Sequence, residues 1–237
     1  MILFVNACVR GDRSRTYALC REYLGGLKKR GAKVREVDLQ LTHLSPLSDQ
    51  KVAFRSQLAR RGVFEDDIFD LAHQFAEADQ IVIGAPYWDL SFPAALKTYI
   101  EHVSVDGITF RFTPDARYVG LCRARRITYI TTSGSILGVP ADDSSMGATA
   151  DDSPYAARTG FAPAPGCNLG YDYVCAIAKM FGIPEVRYAS AEGLDAEGVN
   201  INDSMEGCRA QLSAFLADDA DELEAARLAE EARQTAE

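Results

Sequence analysis

A chain of 237 residues, 47% hydrophobic with a formal net charge of −9, suits one α/β domain with additions, or two small domains. The acidic balance argues against nucleic acid as the main partner, and no apolar run approaches the ~20 residues a membrane helix needs. Six cysteines contain no C-x-x-C pair, and three scattered histidines, His43, His73 and His102, form no zinc pattern. No metal is therefore expected, and reduced thiols in a cytoplasmic protein are the better reading of the cysteines.

Met1 leads straight into Ile2 to Asn6, a first strand rather than a secretory signal. A polar loop follows from Ala7 to Thr16, then a helix marked by Leu19, Tyr23 and Leu27 that Gly31 ends. Ser14 or Thr16 can cap that helix, and the amides exposed there make a natural anion site. Arg10, Arg13 and Arg15 crowd the same loop with positive charge. A capped, solvated helix start would explain the hydroxyls alone; the added arginines point to a phosphate. Neither G-x-G-x-x-G nor G-x-x-x-x-G-K-[ST] is present, which leaves a monophosphate held by hydroxyls and amides.

Ala32 to Leu39 reads as a second, weakly patterned strand, and Ser45 to Ser48 as a turn before a basic helical piece around Arg55 to Arg61. Ile68, Leu71, Ala72, Phe75 and Ala76 define an amphipathic helix. Gln80 to Gly84 is a buried third strand, after which Ala85-Pro86-Tyr87-Trp88-Asp89-Leu90 turns. Pro93 is expected at the first position of a helix through Leu96, Ile100 and Val103. Tyr87 and Trp88 either cap the core or meet a flat ligand, since ligands of open α/β sheets bind at the carboxyl ends of strands.

Asp106 to Pro114 reads as an apolar-aromatic loop, and Arg126 to Thr132 as strand four, ending in the small-residue loop Thr132-Ser133-Gly134-Ser135. Leu137 to Leu169 is an insertion rich in Gly, Pro, Ala, Ser and Asp; such lengths are lids or disordered segments. It carries Tyr155, Phe161 and Cys167, the last read as an inert small hydrophobe rather than a reactive thiol. A helix with Val174, Ile177, Ala178 and Phe181 stops at Gly182-Ile183-Pro184, and Glu185 to Ser190 is strand five. A last helix starts near Ser204, and beyond Asp218 an Ala/Glu/Arg-rich tail reads as an exposed or partner-packed helix. The expected organisation is one domain over residues 1–217 and an acidic helical tail over 218–237.

Strands alternating with helices argue for a doubly wound parallel sheet, and the flavodoxin-like order 2-1-3-4-5 is the natural arrangement. It brings three loops to one edge: Arg10 to Thr16, Pro86 to Leu90 and Thr132 to Ser135.

Those loops resemble the flavodoxin-like FMN-dependent NAD(P)H:quinone oxidoreductases, including the bacterial azoreductases. The resemblance is carried by Ala85-Pro86-Tyr87-Trp88-Asp89-Leu90 with Leu96-Lys97, by Thr109-Phe110-Arg111-Phe112-Thr113, and by Gly182-Ile183-Pro184 with Ala191-Glu192-Gly193. It implies an enzyme with FMN phosphate on Ser14-Arg15-Thr16 and with Cys8 and Arg10 nearby. The isoalloxazine would lie against Pro86, Tyr87, Trp88, Asp89 and Leu90, with Thr132, Ser133, Gly134 and Ser135 closing the site. Phe112, Tyr155 and Phe161 are expected to line the substrate pocket, the last two on an insertion that forms a lid. NADH or NADPH would reduce the flavin at N5, and a quinone, azo or nitro compound would then take the electrons in a ping-pong cycle, with no side-chain nucleophile. A cytoplasmic homodimer is implied. Asp89 stands where the family has Asn, Cys8 where it has an early Ser, and the Arg of its S-R-G-G loop is absent. A flavodoxin-type electron carrier, or a flavin-binding redox sensor without turnover, is the alternative.

Overall fold

The structure, a computed structural model, describes residues 1–137 and 168–234. Its centre is a parallel sheet of five strands. In chain order they are β1 (Ile2–Asn6), β2 (Val34–Asp38), β3 (Gln80–Gly84), β6 (Arg126–Thr132) and β7 (Glu185–Ala191), arranged β2-β1-β3-β6-β7. This is the expected 2-1-3-4-5 order with one hairpin inserted ahead of the fourth parallel strand. β1, β3 and β6 are buried along their whole length. That is why they read as continuous apolar runs: each face of a parallel sheet is covered by helices.

The two faces separate cleanly by alternation along the strands. Leu3, Val5, Ile81, Ile83, Ile127 and Tyr129 pack on one side. They meet Phe75 of α3 (Asp70–Glu77), Leu96, Tyr99 and Val103 of α4 (Ala94–Val103), and Val174, Ala178 and Phe181 of α5 (Leu169–Phe181). Ile2, Phe4, Val82 and Ile130 face the other way. Their partners are Leu19, Cys20, Leu24 and Leu27 of α1 (Arg15–Lys29) and Met205, Cys208 and Leu212 of α6 (Ile201–Gln234). Each fully buried leucine contributes about 1.5–3 kcal/mol relative to exposure. The basic piece before Arg61 belongs to α2 (Asp49–Arg60), which Ser48 caps by accepting from the Lys51 amide.

Several expectations are corrected. Pro93 stands one place before α4, in extended backbone (φ −56°, ψ 141°), so the helix proper starts at Ala94. The last helix begins at Ile201, not near Ser204. Phe110–Phe112 is a strand, β4, not a loop; it pairs antiparallel with β5 (Tyr118–Gly120). A Cβ on Gly120 would collide with the backbone of Gly182, the left-handed cap (φ 77°) that ends α5, so the hairpin crosses that helix end in backbone contact.

The boundary expected at residue 217 falls inside α6, which continues unbroken. Asp219, just beyond it, is completely buried. It accepts from Arg126 Nη1 at 2.7 Å, from Arg187 Nη1 at 3.3 Å and from the Tyr23 hydroxyl. Arg126 opens β6, so this cluster lies toward the amino edge of the sheet.

Candidate functional site

The opposite, carboxyl edge carries a cleft. Its first wall is the β1–α1 loop. After Asn6 the chain makes one 3₁₀ turn at Gly11–Arg13 and enters α1 through Ser14, whose hydroxyl accepts from the Tyr17 amide at 3.3 Å. The amides of Arg15 and Thr16 stand at the first two helical positions, before any intrahelical bond can form, and point out of the helix end. Arg10, Arg13 and Arg15 are exposed around them. Hydroxyl, amides, guanidinium groups and the positive end of the helix dipole converge here, a donor set made for an anion.

Cys8 and Thr16 act beneath this loop rather than in it. Cys8 is buried, donates its thiol to the Gly84 carbonyl at 3.5 Å and holds its amide on Asn6 Oδ1 at 3.0 Å. Burial pushes the thiol up to about 12, so it stays protonated and unreactive at neutral pH. Thr16 is also buried, and its hydroxyl bonds that of Thr132 at 2.7 Å, tying the first loop to the third.

The second wall follows β3. The strand's last residue is Gly84, where a Cβ would come within 2.5 Å of Cys20 Sγ of α1. Tyr87 N donates to the Thr132 carbonyl at 2.9 Å, fixing the loop against the neighbouring strand. Trp88 and Ser91 then exchange backbone hydrogen bonds of 3.1 and 2.8 Å across Asp89 (φ 49°) and Leu90 (φ 65°). Two consecutive positive φ values make a type I′ turn, which normally takes Asn-Gly. Asp tolerates the left-handed region; Leu does not do so easily, and such strain collects at functional sites. The Leu90 carbonyl is held by the Leu169 amide at 3.0 Å. The turn leaves Trp88 39% exposed and Leu90 54% exposed at the mouth of the cleft.

The third wall is Thr132 to Ser135. Ser133 Oγ donates to the Ser135 carbonyl at 2.6 Å. The loop pairs with the segment after β7: Gly193 N, Leu194 N and Asp195 N donate to the carbonyls of Ser135, Ser133 and Gly134 at 3.0, 3.0 and 3.1 Å. A Cβ on Gly134 would lie 2.5 Å from Asp195 Oδ2, so this position is small because a carboxylate crosses it.

Of the residues expected from the sequence, the cleft is lined by Arg10, Ser14, Arg15, Pro86, Tyr87, Trp88, Thr132, Ser133 and Gly134. Asp89, Leu90 and Ser135 stand beside it on the same loops. Val9, Arg13, Leu194 and Asp195 line it too. Leu194 and Asp195 escaped the sequence reading because only the pairing of the third loop with the chain after β7 brings them in. Phe112 is not among the lining residues; it stands on the β4–β5 hairpin, 56% exposed, edge-on to Phe110 at 5.3 Å. Tyr155, Phe161 and Cys167 lie outside the described residues, as does most of the insertion expected to form a lid. The cleft holds about 250 Å³. That is below the roughly 300–1,000 Å³ of a complete small-ligand pocket, so the described residues would enclose only part of a nucleotide.

A helix start rich in donors and an aromatic turn thus meet at one cleft, where β1 and β3 part to opposite sides, the switch point at which doubly wound sheets bind their ligands. Comparisons with known proteins place the chain in a family. The chain belongs to the family described as flavodoxin-like fold, whose model matches residues 1–161. An FMN-dependent NADH:quinone oxidoreductase of Clostridium perfringens is 29% identical over 208 residues, 86% of this chain and 92% of the relative. Another protein of that name, from Caldicellulosiruptor saccharolyticus, is 30% identical over 203 residues, 84% of this chain and 90% of the relative. An FMN-dependent NADH-azoreductase from Bacillus anthracis, solved in complex with FMN, superposes with a TM-score of 0.69 at 18% identity, covering 92% of this chain and 98% of that one. At that identity the superposition speaks for the fold.

Proposed function

We propose that this chain is an FMN-dependent NAD(P)H oxidoreductase that reduces quinones, azo or nitro compounds. One observation carries the reading: the donor set at the start of α1 and the half-exposed Trp88 line the same cleft at the β1/β3 switch point. The names of the full-length relatives support FMN, NADH and a quinone acceptor for this chain as well.

The residues fit the group. The Ser14 hydroxyl, accepting from Tyr17 N, has its own proton to give to a phosphate oxygen. The amides of Arg15 and Thr16 donate alongside, and Arg10 and Arg13 add charge. Tyr87 and Trp88 supply flat surface for a ring. A carboxylate at Asp89 accepts a hydrogen bond, such as one from flavin N3–H, and cannot donate one to a ring carbonyl. When bound, FMN would supply the redox chemistry, linking a nicotinamide donor to the acceptor. The chain's part is to hold the phosphate, orient the ring and shield one side of it from water.

A homodimer is part of the proposal. Phe112, Tyr118 and Val119 are each more than half exposed on the β4–β5 hairpin, an apolar surface that a second copy would cover. Sedimentation at micromolar concentration tests it, and a fully active monomer would overturn it. A cytoplasmic location is consistent with the unpaired thiols of Cys8, Cys20, Cys122, Cys175 and Cys208. The function itself is tested by denaturing purified protein, chromatographing the released chromophore, and assaying NADH oxidation with and without a quinone. Released FMN and quinone-dependent turnover are expected. Released FAD, or no flavin after reconstitution, would sink the reading; FMN without turnover would leave an electron carrier.

A further inference from the structure

Arg15 is not simply waiting at the mouth of the cleft. Its Nη1 donates to the Leu194 carbonyl at 3.4 Å and pairs with Asp195 Oδ1 at 3.4 Å. Asp195 is fixed from behind, since its amide donates to the Gly134 carbonyl at 3.1 Å. Its second carboxylate oxygen lies across Gly134 on the third wall. An internal carboxylate therefore lines the anion end of the cleft and is paired with one of that end's own cations.

We infer that Asp195 is a built-in competitor for the ligand's phosphate: it pairs with Arg15, a cation the phosphate would also take, and must yield or share it when a phosphate binds. This rests on the reading of the cleft as an FMN site. The exchange is physically cheap. Both partners are largely exposed, with side-chain accessibilities of 46% for Arg15 and 77% for Asp195, and such pairs are worth little in water. A phosphate dianion offers Arg15 a stronger, bidentate partner and gains the helix amides as well. What remains after exchange is repulsion between the displaced carboxylate and the phosphate. That repulsion lowers affinity for phosphorylated ligands and leaves unphosphorylated ones untouched, so Asp195 sets how firmly the nucleotide is held.

The test is a titration of apoprotein with FMN and with riboflavin, which lacks the phosphate, at low ionic strength. Asp195→Asn should tighten FMN roughly threefold to tenfold, the range over which a partly exposed charge pair operates, and leave riboflavin unchanged. In an Arg15→Gln background the part of the gain that comes from freeing Arg15 should vanish, while the part that comes from carboxylate–phosphate repulsion should remain. Weaker FMN binding by Asp195→Asn would overturn the inference, because Asp195 would then be positioning Arg15 for the ligand. An equal gain for riboflavin, or no change for FMN, would overturn it too. A wild-type protein that binds neither flavin would remove the FMN reading and this inference together; FMN bound equally well by both proteins would remove the inference alone.

Discussion

Two groups of arginines sit at opposite edges of one sheet and do opposite work. At the amino edge, Arg126 and Arg187 are 4% and 12% exposed and converge on the buried carboxylate of Asp219. Arg187 also lies over the Phe215 ring at 5.3 Å. There the positive charge is answered inside the protein, and the result is structure: the C-terminal helix is pinned to β6, β7 and α1. At the carboxyl edge, Arg10, Arg13 and Arg15 stand exposed around a helix start, and the internal carboxylate facing them, Asp195, is exposed and weakly held. There, on the proposed function, the charge serves a ligand. The same side chain is structural where burial forces it to be paired and available where water stabilises it unpaired.

Substitutions should separate the two edges. The largest effect is expected from Asp219→Ala, which removes the buried carboxylate shared by the buried Arg126 and the partly buried Arg187 and leaves them the more exposed Glu185 in common. It should cost about 3–5 kcal/mol in urea denaturation, while flavin affinity of the folded protein stays within about twofold of wild type. Ser14→Ala should do the reverse. Losing a hydrogen bond to a charged phosphate is worth about 1.5–3 kcal/mol, so FMN affinity should fall about tenfold or more, whereas the lost helix cap costs only about 1 kcal/mol of stability. Thr132→Val should fall between the two edges. It leaves the buried Thr16 hydroxyl without its 2.7 Å partner and should cost about 1–3 kcal/mol.

The smallest effect concerns pH. Burial raises the Cys8 thiol from its ordinary 9.0 to about 12. Above pH 9 the unfolded thiol loses its proton while the folded one keeps it, so the unfolded state binds fewer protons. The contribution is complete below about pH 9 and is lost as pH rises toward about 12, by at most ~1.4 kcal/mol per unit. A urea midpoint followed from pH 8 to 10 should fall more steeply in wild type than in Cys8→Ala.

Most of the architecture was legible in the sequence. The apolar runs of β1, β3 and β6 are buried on both faces and cannot be mistaken for surface, and their alternation with helices fixes a parallel sheet. The three loops of the cleft followed from that topology. What could not be read has physical reasons. β4 and β5 are only three residues each, too short to show a period, and they are joined through Thr113 to Arg117 with Ala116 at φ 60°. Asp89-Leu90 contains neither Gly nor Asn, so nothing announces two left-handed residues. Asp219 sits in a polar, Ala- and Glu-rich helix whose composition points to solvent; only the arrival of Arg126, Arg187 and Tyr23 from distant positions makes its burial tolerable. Asp195 lies beyond the end of the last strand and enters the cleft through the backbone bonds that join residues 193–195 to the third loop and through its pairing with Arg15.

The central claim is that one cleft holds both the phosphate and the ring of FMN, with the ring against Trp88. Trp88 is the chain's single tryptophan, so its emission reports on that place alone. Titrating apoprotein with FMN should quench it strongly and saturably, with an endpoint at one flavin per chain. Emission that stays unchanged while equilibrium dialysis shows FMN to be bound would contradict the account.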